Sequence, residues 1–329
     1  MKKTVKYMVA MAISVGGFLI AAILNGLIPT HPGAALDKTY FWGLSVDGDD
    51  AYRAVLLIIG AGYLVAGICD HFREGRAKKY IKRAPFRFAC GLALFVWDLL
   101  GSKLMMLPQP FFPGPGKIME TFVTEGDFVL ENTLYSLRLY AFGFISGVVI
   151  GVTIGVLVGW FRGVEYWVSP VMKVAGVIPA VAWMPFALTL LPTPFSAAVF
   201  LIMISVVLLV APLTVAGISN TPRVQFEAAK TLGGKTGYLV FHVAIPQALP
   251  QIFTGITTAN AYAFTILVMA EMMGQPGGLG YYINASKVWS AYYKVFAAII
   301  VMAVVFSIIT RLIEAIQKKA LRWQKGTTV

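Results

Sequence analysis

Glu227-Ala228-Ala229-Lys230-Thr231-Leu232-Gly233, followed by Ile245-Pro246-Gln247-Ala248-Leu249-Pro250, belongs to a polar stretch at 221–250 that separates two long apolar runs. Thr221 before Pro222 offers a side-chain cap and a first-turn residue, so a helix is predicted to begin there. Gly233 and Gly234 should end it, because glycine accepts the left-handed backbone of a helix C-cap. The run Gly237 to Val243 can then turn away as a second short helix. The predicted product is a small helix-turn-helix between membrane-like segments, a shape suited to a groove on a partner protein. Gly234-Lys235-Thr236 mimics the end of a phosphate-binding loop, but Ala229 stands where that pattern needs its first glycine, and a helix instead of a strand runs into it. Nucleotide binding is therefore not assigned, and an ATP-driven process would need its energy source on another chain.

Outside this stretch the chain is membrane-like. Of 329 residues, 58% are hydrophobic and 13% charged. The mean hydropathy of +0.76 is too high for a soluble globular protein of this size. Segments long enough to cross a bilayer as helices lie near 7–28, 53–70, 86–107, 138–161, 166–191, 195–217, 249–272 and 293–315, the fifth broken by prolines. The fold class is an all-α integral membrane protein with about eight transmembrane helices.

The net charge of +12 does not point to nucleic acid, because the basic residues gather at alternate loops. Lys2, Lys3 and Lys6 precede the first span, the 73–87 loop is strongly basic, and Lys318, Lys319, Arg322 and Lys325 follow the last. The loop after the first span instead carries Asp37, Asp47, Asp49 and Asp50. Positive charge marks the cytoplasmic side. An even number of spans then puts both termini and the 221–250 loop in the cytoplasm of a multi-pass protein of the cell membrane. Lys2 and Lys3 before an apolar run resemble a secretory signal, but Tyr7 to Ile28 is longer than a signal core and is read as a retained anchor. Cys69 and Cys90 lie near cytoplasmic span ends, where a disulfide is not expected. His31, His71 and His242 are scattered without metal-ligand spacing.

The 227–250 spacing resembles the cytoplasmic docking loop, or EAA motif, of ABC-importer permeases: E-A-A, three residues, G, and thirteen residues on a Pro preceding a second Pro. Glu227, Ala228, Ala229, Gly233, Pro246 and Pro250 fall in that register, with Gly234 beside the turn. Within these importers the chain resembles the nitrate, sulfonate and taurine type. Ser136, Leu137, Arg138, Gly143, Phe144, Gly147, Gly151 and Gly155 match its Ser-Leu-x-Arg segment with spaced glycines. Pro179, Ala182 and Pro185 match its next span, and Ala270, Glu271, Met272, Gly278, Leu279 and Gly280 match its Ala-Glu-Met and Gly-Leu-Gly. Leu191-Pro192-Thr193-Pro194 departs from it, standing where the type has a Phe-Gly-x-Gly turn.

The resemblance runs over residues 108–323 and implies a type I ABC importer transmembrane fold, a six-helix core plus two N-terminal helices. Residues 1–83 are then an extension with its basic loop, 84–323 a permease core with the coupling loop at 221–250, and 324–329 a cytoplasmic tail. It implies two ATPase subunits, an extracytoplasmic solute-binding protein and a second permease copy in a homodimer. The expected function is ATP-driven import of a small anionic or aromatic solute by alternating access, with no bond chemistry and no cofactor on this chain. Relatives of this type carry nitrate, sulfonates, taurine and aromatic vitamin precursors. A secondary transporter driven by an ion gradient is the alternative; it would need no docking loop and would commonly show an inverted repeat. A membrane-embedded enzyme would need convergent reactive residues, and no catalytic or metal set is present in the sequence.

Charges inside spans are costly and normally face protein or water. Asp98, Lys103, Arg138, Lys173 and Glu271 are of this kind. Lys103, Arg138 and Lys173 either snorkel to the interface or line a pathway. Asp98 has Lys103 or Arg138 as candidate partners, and Glu271 either pairs with Arg138 or gates. Prolines break the fifth span, and broken helices are tolerated where they line a cavity or are buried in protein. Arg138, Pro179, Trp183, Pro185 and Glu271 are the candidate translocation pathway. In the fourth span Gly143, Gly147, Gly151, Gly155 and Gly159 make a four-residue stripe that invites close helix packing, within one subunit or between subunits. Residues 117–134 are expected to form an amphipathic segment along the membrane.

Overall fold

The computed structural model describes residues 2–34, 36, 39–41, 44–71 and 74–323. It is helical apart from a short antiparallel ribbon, β1 (Thr39–Phe41) with β2 (Leu44–Val46). The helices are α1 (Lys2–Leu27), α2 (Gly48–His71), α3 (Glu74–Asp98), α4 (Pro115–Thr124), α5 (Gly126–Trp160), α6 (Arg162–Val177), α7 (Met184–Leu190), α8 (Pro194–Ser219), α9 (Arg223–Thr231), α10 (Thr236–Tyr238), α11 (Ile245–Gly274), α12 (Leu279–Val288) and α13 (Tyr292–Ala320). Among the described residues, seven helical stretches are long and apolar enough to cross a membrane, and one bent pair makes an eighth. The eight predicted spans each fall on one of these.

The bent pair is the fifth span. α6 and the segment Ala180–Leu190, which contains α7, meet at 97°. Ile178, ahead of Pro179, is extended at φ −81, ψ 120. Proline disfavours helical geometry at the residue before it and supplies no N–H of its own. The expected 117–134 segment is likewise divided. It is split at Glu125, whose φ of −123 leaves the helical region, so its first part lies in α4 and the rest opens the 35-residue α5.

By internal contacts the chain forms two compact units, 1–129 with 285–299 and 130–284 with 300–329. In the first, α1 packs on α2 and α3 around Phe18, Ala21, Ala22, Tyr52 and Leu56. α1 and α3 touch at Gly17 and Gly91. A Cβ at Gly17 would lie 2.7 Å from the Phe88 carbonyl oxygen, so only glycine permits this backbone approach. The expected boundary at 83/84 falls inside α3, which packs along α1. Lys103 does not snorkel. It is 6% exposed, and its Nζ lies 3.1 Å from Asp49 Oδ2 and 2.8 Å from Thr30 Oγ1. Asp98, 1% exposed, accepts a 2.8 Å hydrogen bond from Asn25 Nδ2.

In the second unit the glycine stripe of α5 meets α8. Gly143, Gly147, Gly151, Gly155 and Gly159 face Ile202, Val206, Val210, Thr214 and Ile218 in turn. Both ladders step by four residues, so each branched side chain of α8 occupies the space of one absent Cβ. A Cβ at Gly143 or Gly147 would come within 2.6 Å of Ile202 or Val206. The stripe therefore serves packing within the chain. α8 begins at a capping box, in which Thr193 Oγ1 accepts the Ser196 amide at 3.1 Å and Ser196 bonds back to Thr193. The Leu191–Pro194 departure is this cap.

Candidate coupling loop and pathway

α9 starts one residue later than predicted. Pro222 takes the N-cap position in extended backbone and makes no side-chain cap. Thr221 Oγ1 instead turns back to the Gly217 carbonyl at 3.4 Å. The C-terminal end follows the expectation. Gly233 has φ +79, its amide bonds the Lys230 carbonyl, and the Gly234 amide bonds the Ala229 carbonyl, both at 2.9 Å. This is the paired hydrogen-bond pattern of a glycine-closed helix end. Each glycine has its own reason: Gly233 supplies the left-handed turn, and Gly234 has no room for a Cβ, which would lie 2.7 Å from the Ala229 oxygen.

The second arm of the loop is not a separate short helix. α10 runs through a wide π turn, Leu239–Ala244, directly into α11, giving one continuous helical stretch from Thr236 to Gly274. Pro246 cannot donate a hydrogen bond, and its ring crowds the carbonyl four residues back. The wide turn accommodates it, with the Ile245 amide bonding the Val240 carbonyl five residues back. Pro250 lies inside the first turns of α11.

Glu227 and Ala228 are exposed, whereas Ala229 is 8% exposed. Val224, Leu232 and Phe241 are large apolar side chains of this polar segment left uncovered. At its base Phe226 meets Trp160 edge-on at 5.6 Å and packs with Ile218, Ala244, Ala248 and Ile252. α9 is thus packed against the ends of α5, α8 and α11.

The pathway candidates do not form one cluster. Pro179 and Pro185 are exposed at the break of the fifth span. Trp183 packs against the main core, and its Nε1 finds no hydrogen-bond partner among the described residues. Arg138 is exposed, with its guanidinium 5.3 Å from the Phe195 ring.

Glu271 is 1% exposed. Its Oε2 accepts the Gly280 amide at 2.8 Å, and the Ser136 hydroxyl also bonds the carboxylate. Ser136 Oγ in turn accepts the Leu279 amide at 2.8 Å, and Asn132 Oδ1 the Gly278 amide at 2.9 Å. The glycine-rich loop is therefore folded over Glu271 and pinned to α5.

Asn132 and Tyr140 were not singled out from sequence, and Ser136 was read only as part of the Ser-Leu-x-Arg match and not as a partner of Glu271. Their spacing of four was the available signal, since it puts three polar groups on one helix face. Tyr140 reaches Asn260 Oδ1 at 2.5 Å, and Asn260 Nδ2 reaches Thr310 at 3.0 Å. Among the described residues no group of three His, Cys, Asp or Glu side chains is placed to hold a metal ion.

The model of the family described as binding-protein-dependent transport system inner membrane component matches residues 147–322. A Brucella abortus (strain 2308) protein named as an ABC transporter permease is 27% identical over 216 residues, 65% of this chain and 86% of that protein. A Bacillus subtilis (strain 168) protein named as an aliphatic sulfonates transport permease is 29% identical over 236 residues, covering 70% and 84%. The taurine transport system permease protein of Escherichia coli (strain K12) is 24% identical over 239 residues, covering 70% and 86%. Among solved structures, an inward-facing form of the MetNI methionine ABC transporter superposes with a TM-score of 0.52 at 19% identity, over 60% of this chain and 97% of that one. That likeness gives the fold, an ABC importer transmembrane domain.

Proposed function

This chain belongs to the binding-protein-dependent transport system inner membrane components, and from that premise we propose that it is the permease subunit of an ATP-driven importer, docking its ATPase through residues 221–250. It is an ABC transporter permease and a multi-pass membrane protein. The observation that carries the finer reading is the α9 knob. It is a short helix closed by Gly233 and Gly234, exposing Val224 and Leu232, and rooted by Phe226 among the ends of three membrane helices. Apolar side chains uncovered on a polar, non-spanning segment suit a groove on another protein.

In this reading two ATPase subunits engage two copies of the chain through Glu227, Ala228, Ala229, Gly233, Gly234 and the Pro246–Pro250 arm. Closure of the ATPases draws the knobs together, and the rigid continuity of α10 with α11 passes that motion into the membrane. The cavity then alternates between its two faces. An extracytoplasmic binding protein delivers a small anionic or aromatic solute, and both termini lie in the cytoplasm. Pro179, Trp183 and Pro185 line the pathway at the broken fifth span, Arg138 contributes to it separately from α5, and Glu271 holds the outer glycine-rich loop in place. Residues 1–83 are an extension to the core at 84–323.

The test is co-purification of an ATPase with the intact chain from its native membrane, compared with a chain whose 227–250 loop is disrupted. Retention of the ATPase by a folded, loop-disrupted chain would remove the reading; a transporter driven by an ion gradient would bring down no ATPase in either case.

A further inference from the structure

The basic N-terminal half of α3 carries a cationic face that the transport reading does not use. Lys78, Lys79, Lys82 and Arg83 are exposed and have no carboxylate partner among the described residues, whereas Arg76 lies 3.9 Å from Asp70. At 3.6 residues per turn these four side chains share the arc opposite Tyr80 and Ala84, which are each 1% exposed and turned inward. Lys6 on α1 is exposed at the same level, because the neighbouring Tyr7 ring lies 5.5 Å from that of Tyr80. One turn further along the same arc, toward the apolar part of the span, Phe86 is 72% exposed. Arg87 is separate: its guanidinium lies over the Tyr80 and Tyr63 rings at 4.1 and 4.8 Å, so it is held inside the unit.

The layering selects the occupant. A protein partner would need an apolar centre to its interface, but the face is cationic except for Phe86, which stands on the membrane side of the charges. Lysine and arginine heads at phosphate level, with an aromatic ring one turn deeper, match the cross-section of a bilayer surface. Clusters of four or more such cations beside a span attract anionic lipid. We propose that this face, with Lys6, binds the phosphate headgroups of anionic phospholipids and gathers them around the N-terminal unit. The proposal is independent of the import reading and of which side of the membrane the termini face.

The experiment places the intact chain in nanodiscs of mixed phosphatidylcholine and phosphatidylglycerol and measures, by native mass spectrometry, which lipid stays bound. The Lys78→Gln/Lys79→Gln/Lys82→Gln/Arg83→Gln protein should lose its phosphatidylglycerol preference, by up to about fivefold for each cation removed. Raising salt should weaken the preference of the unmodified chain, because it shortens the range of surface charge. Lys78→Arg/Lys79→Arg/Lys82→Arg should retain it, and Lys78→Gln/Lys82→Gln, which disturbs the helix less, should lose part of it. Added inorganic phosphate should not displace the lipid; displacement would show an anion site in place of a bilayer surface and overturn the proposal. Unchanged preference in the glutamine variants would also overturn it. So would an equal loss on neutralising Arg311, Lys318, Lys319 and Arg322 at the other end of the chain, which would reduce the effect to net charge.

Discussion

Glu271 and Gly278 interlock: Gly278 holds φ +108, and the Glu271 carboxylate occupies the space that any side chain at Gly278 would need. The carboxylate is also an acceptor for the Gly280 amide two residues on. One buried carboxyl group thus sets the course of a whole loop, and the loop in turn requires glycine where that group passes.

Replacing Glu271 with Ala should therefore destabilise the protein, since it leaves the buried Gly280 N–H without its acceptor. Such a loss costs about 1–3 kcal/mol. Glu271→Gln keeps an acceptor and should be milder. Gly278→Ala adds left-handed strain of about 1–2 kcal/mol and a collision with the carboxylate; in the double variant with Glu271→Ala the collision disappears, so the two effects should be less than additive. Thermal unfolding of detergent-solubilised protein checks all four. An Ala variant with unchanged unfolding and abolished transport would make Glu271 a pathway group instead of a loop anchor.

The α5–α8 ladder predicts a second result. Gly147→Leu should cost about 1–3 kcal/mol through overpacking against Val206, and Gly147→Ala should be partly rescued by Val206→Ala. Equal substitutions at Gly163, where a Cβ would have nothing within 4 Å, should be tolerated. If Gly147→Leu instead left the monomer's unfolding unchanged and dissociated a dimer, the stripe would belong to a subunit interface.

The spans were legible because bilayer thickness demands long apolar runs whatever their partners, and the glycine stripe announced a close helix neighbour. It could not say which one. Its partner α8 is apolar on every side, so Ile202, Val206, Val210, Thr214 and Ile218 carry no contrast that marks a face. Gly233 was legible because a left-handed helix end is a local property. The continuity of α10 with α11 was not: the run Gly237 to Val243 reads as a short helix of its own, and only the π turn at Leu239–Ala244 carries the chain past Pro246 without a break. The Asp49–Lys103 pair was hidden by the 54 residues between its members, with Asp49 read only as one acid of an outer loop.

That pair supplies a third prediction. Lys103→Ala leaves the Asp49 carboxylate buried and unmatched, which costs about 3–5 kcal/mol. Lys103→Met with Asp49→Asn removes both charges and should recover most of the loss. Because the pair is buried, the wild-type unfolding temperature should depend little on salt. Full stability of Lys103→Ala alone would mean that the lysine does not sit beside Asp49.

Topology can be read by labelling. The loop charges predict that a tag at residue 45 is reachable from outside intact cells, whereas tags at residue 78 and after Val329 are not. External labelling at residue 78 would reverse the assigned orientation and place the coupling loop on the wrong side for a cytoplasmic ATPase.

The turn after α9 offers the sharpest test of coupling. Gly233 is at φ +79 with open space around it, so a substitution there acts through backbone strain alone and not through a clash. A β-branched residue is the least tolerant of that geometry, and Gly233→Val should strain the turn by about 1–2 kcal/mol. The damage should spread further than the energy suggests. The Gly234 amide must stay on the Ala229 carbonyl for α10 to leave at its present angle, and α10 runs unbroken into α11. ATPase co-purification and transport should therefore fall sharply while membrane insertion and protein level stay near normal. Gly233→Asn, which accepts left-handed backbone more readily, should keep most of both, and Glu227→Ala should act more mildly than the valine variant because it removes only exposed polar contacts. A Gly233→Val chain that inserts normally and imports at the unmodified rate would show that this turn does not carry the coupling.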